Sequence, residues 1–149
     1  MSQKPVSSVA VPQSVISAEA VSVALEAAIG HAAKLGVKIN VAVADSGGNL
    51  SGFLRMPGAF LQSIDIAIDK AYTAAGFGLA TSAWAEALAT HSPAVRNGLP
   101  LRPRMVCFGG GLPLRHQGRL IGGIGVSGGS EEQDQACARA GVLAIGLSA

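Results

Sequence analysis

Charge and aromatic rings are both scarce in this sequence. Only 13% of the residues are charged and 4% are aromatic, against 49% hydrophobic. A net charge of +2 is too mild to argue for a nucleic-acid partner, and no Arg/Lys stripe interleaved with aromatics accompanies it. No apolar run reaches the length of a membrane span, so no membrane partner is expected. The chain does not start with a basic stretch and an apolar segment, which makes the cytoplasm the expected compartment. Cys107 and Cys137 have no metal-ligand spacing and stand in apolar contexts, where they read as buried small hydrophobes. No His/Cys/Asp/Glu group has zinc spacing, and nucleophile-elbow, P-loop and H-E-x-x-H patterns are all missing. A chain of 149 residues makes one domain with a real core. So little charge leaves an apolar surface, and a homo-oligomer that hides part of it is expected.

Glycine, by contrast, is abundant, with 20 residues. The densest stretch runs from Gly122 to Ser130 and leads into Glu131-Glu132-Gln133-Asp134. It links an apolar strand, Arg119 to Val126, to a last helix from Glu131 to about Leu147. Ser130 followed by Gln133 is a capping-box pattern. Glycines permit close backbone approach, and free N–H groups at a helix start favour an anion. The turn therefore reads either as the floor of a ligand site, with Gly125, Ser127, Gly128, Gly129 and Ser130 as its backbone, or as a tight turn with no ligand. Gly123, Gly125 and Gly128 match G-x-G-x-x-G, but too little chain follows for a dinucleotide-binding βαβ unit.

The remaining elements follow from periodicity and punctuation. Residues 1–13 carry prolines and serines and read as a flexible arm; residues 14–149 form the domain. Ser17 caps a helix that Gly36 ends, with Val21, Leu25, Ala28, Ile29 and Ala32 inward and His31 on the flank. His31 is either an ordinary boundary histidine or a metal or haem ligand. Val37 to Ala44 alternates as a half-buried strand, and Asp45-Ser46-Gly47-Gly48-Asn49 turns it into a second, Leu50 to Met56. Asp45 reads as an Asx-turn residue or a carboxylate at a site rim. Ala59 to Gly76 is helical and apolar on two sides, with Lys70 among the apolar residues as a snorkelling or a partly buried cation. Thr81 caps a short helix ending near His91. Ser92 to Arg104 reads as a loop broken by prolines, with Arg96, Arg102 and Arg104 on a positive edge that either closes over an anion or stays solvated. Met105 to Phe108 reads as a strand, and Leu112 to His116 pairs with Arg119 to Val126. The expected class is α+β: a mainly antiparallel sheet of about five strands with helices packed on it.

Several runs together resemble the GlcG/HbpS-like family, with which the C-terminal domain of PduO proteins is grouped. They are Val41 to Leu50 (VAVADSGGNL), Arg55-Met56-x-Gly58-Ala59, Ser63-Ile64, Lys70-Ala71-x-Thr73-Ala74, Gly110 to Pro113, Gly122 to Gly129 and Glu132-Gln133-Asp134. The resemblance covers roughly residues 15–146. It implies a profilin-like sheet with helices on both faces, higher oligomers and, in some members, haem binding. Pro57 stands where the family commonly has aspartate. Two functions are compatible with this. One is a small-ligand binder for haem or a related tetrapyrrole, with an axial ligand from His31, His91 or His116, and with Arg55, Lys70 or the loop arginines meeting propionates. The other is an enzyme of small-molecule catabolism, a tautomerase, isomerase, hydratase or ring-opening hydrolase, acting on a small anionic metabolite. There the glycine turn with Lys70, Arg55 and Thr73 would bind the substrate, and Asp45, Lys70, Glu132 and Asp134 would be its catalytic groups.

Overall fold

The computed structural model describes residues 3–149. The arm expected over residues 1–13 has no helix or strand and is exposed from residue 3 onward; its first two residues lie outside the described residues. The elements that follow are α1 (Ala18–Leu35), β1 (Asn40–Asp45), β2 (Leu50–Arg55), α2 (Gln62–Phe77), α3 (Trp84–Ala89), α4 (Pro93–Gly98), β3 (Gly111–His116), β4 (Arg119–Ser127) and α5 (Glu131–Ala144). No helix of the described residues is long and apolar enough to cross a membrane.

The sheet has four antiparallel strands in the order β2-β1-β4-β3, not about five. The missing one is the stretch Met105 to Phe108, which has no strand geometry. Its backbone is tied to a helix instead. The Thr73 hydroxyl donates to the Arg104 carbonyl (2.9 Å) and accepts from the Val106 N–H (3.2 Å). The stretch from Ser92 to Arg104 is also more ordered than a loop. Ser92 accepts from the Val95 N–H, Pro93 occupies the first turn, and α4 with a 3-10 turn over Leu99–Leu101 results. A proline there starts a helix rather than breaking one. Thr81 caps nothing with its side chain; its hydroxyl accepts from the Gly111 N–H (2.8 Å) at the start of β3.

The helices lie on both faces. α1 and α5 cover one, where Ile39, Val41, Val43, Leu112, Leu114, Ile124 and Val126 form the core with Val21, Leu25, Ala28 and Val142. Each such aliphatic side chain contributes about 1.5–3 kcal/mol on burial. α2 covers the other face, against Ala42 and Ala44. β1 is therefore buried on both sides and not half-buried as its alternation suggests. The alanines are in place of polar residues because α2 sits very close. β4 shows the same division: Ile124 and Val126 face α1 and α5, while Gly123 and Gly125 face α2. A Cβ on Gly125 would meet the Ala71 backbone nitrogen at 2.5 Å and Lys70 Cβ at 2.8 Å. The helix backbone thus lies directly on the strand.

This close approach predicts opposite responses from two glycines. Gly125→Ala should lose about 3 kcal/mol of unfolding free energy through overpacking. Gly76 is on the outer side of α2, with nothing within 4 Å of where a Cβ would stand. It should gain about 0.5 kcal/mol as alanine through helix propensity. Urea titration of both variants measures the contrast.

Candidate functional site

The most buried charge among the described residues is Lys70, 1% exposed, in the middle of α2. Its Nζ donates to the Val126 carbonyl (2.8 Å) and to Asp134 Oδ2 (3.1 Å), and lies 5.1 Å from the Phe108 ring centroid. The strand pairing explains the first contact. β3 begins at Gly111, opposite Gly125, and the Val126 N–H reaches the Gly110 carbonyl (2.9 Å). The chain turns away at Gly110 (φ 127) and leaves the Val126 carbonyl without a strand partner, so the ammonium takes that place. Gly110 makes room for it: a Cβ there would stand 2.5 Å from Lys70 Nζ.

Asp134 belongs to the first turns of α5 and is 3% exposed. Its Oδ1 accepts from the Gly129 N–H (2.8 Å), while the capping box is complete: Ser130 Oγ accepts from Gln133 N–H (3.2 Å) and Gln133 Oε1 from Ser130 N–H (3.0 Å). The anion that the glycine turn attracts is thus the protein's own carboxylate. Burial pushes the Lys70 ammonium below the usual lysine range, opposed by the charge and hydrogen bond of Asp134 and by Glu131. Burial likewise pushes the Asp134 carboxyl up, opposed by Lys70 and by the N–H groups of Gly129 and Gly128. In both, desolvation outweighs the attraction of the partner. Cys137 on the same helix is pushed up to about 11, by burial and then by the Asp134 charge.

The structure brings Lys70, Asp134, Gly125, Ser127, Gly128, Gly129 and Ser130 to one end of the sheet and leaves the other sequence candidates elsewhere. Asp45 closes its own turn, accepting from the N–H groups of Gly47 (2.8 Å) and Asn49 (3.0 Å). Arg55 donates to the Ala59 carbonyl (2.7 Å) on the edge beside Lys38, Met56 and Pro57. Thr73 pins residues 104–106 to α2. Glu132 is exposed on the first turn of α5, and His91 and His116 are exposed at the ends of α3 and β3.

His31 lines a groove of about 520 Å³ on the outer side of α1 and α5. Across from it stand Glu131, Glu132, Gln135, Ala136, Arg139, Ala140 and Leu143, with Ser82 and Gly109 on the rim. One carboxylate oxygen of Glu131 is engaged by the Gly109 N–H (2.7 Å). Apart from Glu132, the α5 residues of this groove were missed in the sequence, although Ala136, Ala140 and Leu143 recur at helical spacing on the side away from the core. The groove offers an imidazole, a guanidinium, two carboxylates, one of them held by the Gly109 N–H, and a strip of small apolar side chains. Three of these suit a tetrapyrrole: a nitrogen donor for iron, a cation for a propionate and an apolar bed.

Residues 16–143 match the family model described as haem degrading protein HbpS-like. The chain belongs to the HbpS-like family. It is 36% identical over 121 residues to the corrinoid adenosyltransferase PduO of Salmonella typhimurium, covering 81% of this chain but only 36% of that protein. It thus spans about a third of that relative's length. A PduOC:heme complex superposes with a TM-score of 0.82 at 35% identity, over 90% of this chain and 97% of that one. A double mutant of Streptomyces reticuli HbpS superposes with a TM-score of 0.83 at 33% identity, over 98% and 99%.

The buried pair predicts a characteristic stability pattern. Lys70→Met, which strands the Asp134 carboxylate, should cost about 3–5 kcal/mol in urea unfolding. Lys70→Met with Asp134→Asn keeps an acceptor for Gly129 and should recover most of that loss. The pH dependence has a defined sign. The folded Lys70 pKa lies below 10.5, so in the window between the two values the unfolded chain binds more protons and stability rises with pH. For Asp134 the folded pKa lies above 3.8, so stability falls as pH rises from 3.8 through the folded value. Subtracting the unfolding free energies of the double variant across pH should show both slopes. In a separate readout, iodoacetamide at pH 8 should modify Cys137 only after denaturant is added, because its thiol is buried and has little thiolate there.

Proposed function

We propose that this chain is a small-ligand-binding protein that holds haem, or a related tetrapyrrole, in the groove between α1 and α5, with the His31 imidazole as axial ligand. The observation that carries the reading is that His31 and Arg139 line the same groove, in a chain whose fold is like that of a PduOC:heme complex at 35% identity. When bound, haem supplies an iron centre with redox chemistry and an intense Soret absorption. The chain's own residues do the rest. His31 presents a ring nitrogen from a rigid 18-residue helix. Arg139 offers its fork to a carboxylate. Ala136 and Ala140 keep the bed shallow enough for a ring to lie flat.

The enzyme reading through Lys70 and Asp134 is less well supported. A substrate would have to reach groups that expose 1% and 3% of their surface, and their hydrogen bonds are made within the protein. Exposed Phe60 (66%), Leu61 (66%) and Leu101 (83%) support the expectation that copies of the chain associate, and light scattering of the purified protein tests it.

Hemin titration of the full chain tests the site. A saturable, stoichiometric Soret shift is expected. His31→Ala should weaken binding by about tenfold or more, equivalent to about 1.4 kcal/mol, and change the spectrum of whatever haem remains. Arg139→Gln should weaken binding severalfold without changing the spectrum. A featureless wild-type titration removes haem as the ligand; a wild-type spectrum retained in His31→Ala removes His31 as its axial group.

A further inference from the structure

A second hollow, of about 370 Å³, lies on the opposite face of the sheet, between α2, the β1–β2 turn and the segment from Leu99 to Met105. Its apolar walls are Tyr72, Phe77, Leu99 and Met105. Both rings are held in place. Phe77 packs edge-on against Trp84, centroids 4.7 Å apart, and the Arg104 guanidinium stacks 3.6 Å from the Tyr72 centroid. Arg104 is neutralised by Asp69 at 2.9 Å. Arg102 lines the same hollow and has no ion-pair partner among the described residues. Gly76 opens the floor: nothing stands within 4 Å of where its Cβ would be.

The two glycine donors of the β1–β2 turn on the rim are occupied. The Gly47 N–H is used by Asp45 Oδ1 (2.8 Å) and the Gly48 N–H by the Asp45 carbonyl (3.0 Å). The hollow therefore has one cation without an ion-pair partner among the described residues and apolar walls, and its two turn glycines have no free N–H to offer, which disfavours a phosphate or other multiply charged anion. We propose that it is a binding site for an aromatic monocarboxylate, whose carboxylate pairs with Arg102 and whose ring lies among Tyr72, Phe77 and Met105. Planar, bidentate pairing with a carboxylate is the chemistry a guanidinium does best.

The test is protein-observed NMR titration of the full chain with benzoate, its neutral analogue benzamide, and inorganic phosphate. Benzoate should saturate, with shifts centred on residues 72–77 and 99–105. Benzamide and phosphate should each bind at least about tenfold more weakly. Arg102→Gln should reduce benzoate to the level of benzamide. Gly76→Leu sends its side chain into open space, so the fold should survive, as a thermal melt can verify, while binding of benzoate is lost. The same variant should titrate with hemin as the wild type does. The proposal is overturned by failure of benzoate to saturate, by phosphate matching it, or by undiminished benzoate binding in Arg102→Gln or in folded Gly76→Leu. Loss of the hemin response in folded Gly76→Leu would overturn the separateness of the two sites.

Discussion

A single buried ammonium decides how this fold closes. Lys70 comes from the helix on one face of the sheet, meets a strand carbonyl at the sheet's end, and pairs with a carboxylate from a helix on the other face. Desolvation exceeds the attraction within the pair, so the pair is poor as a source of net stability. What it supplies is position. The Val126 carbonyl that β3 leaves behind, the Gly129 N–H that α5 leaves at its start, and the entry of α5 itself are all tied to one point. The glycines around it then have separate reasons: Gly110 admits the ammonium, and Gly125 lets α2 lie on β4.

Much of this architecture was legible because its signals are local. Ser17 and Gly36 bracket α1, Ser130 and Gln133 start α5, and two turn-rich segments close the two hairpins. Each depends on residues only a few positions apart. The errors came where a distant partner intervened. Met105 to Phe108 has the composition of a strand, but its Val106 N–H is taken by Thr73, 33 positions earlier. The alternation in β1 suggested one solvent face, because alanine does not announce whether water or a helix lies opposite.

The candidate site divides in the same way. Lys70, Asp134 and the glycine turn could each be singled out, yet their meeting spans 64 positions and no spacing rule contains it. The sequence presents a glycine-rich helix start as an anion site; the structure adds that this chain carries the anion itself. Conversely, the α5 side of the α1–α5 groove is lined by Gln135, Ala136, Arg139, Ala140 and Leu143, with Glu131 and Glu132 at its start, which look like ordinary outer residues of a helix. The placement of His31, Ser82 and Gly109 around them makes that surface a pocket.

The sheet also acts as a partition. The larger groove faces out from α1 and α5, and the smaller hollow lies against α2. The two cavities share no lining residue, and the sheet with the packing on its two faces lies between them. Information between them has one ionic route among the described residues, the Lys70–Asp134 pair, which joins α2 to α5 around the sheet's end. A displacement of α5 by a ligand in the groove would pull directly on the middle of α2, one helical turn before Ala74 and two before Phe77.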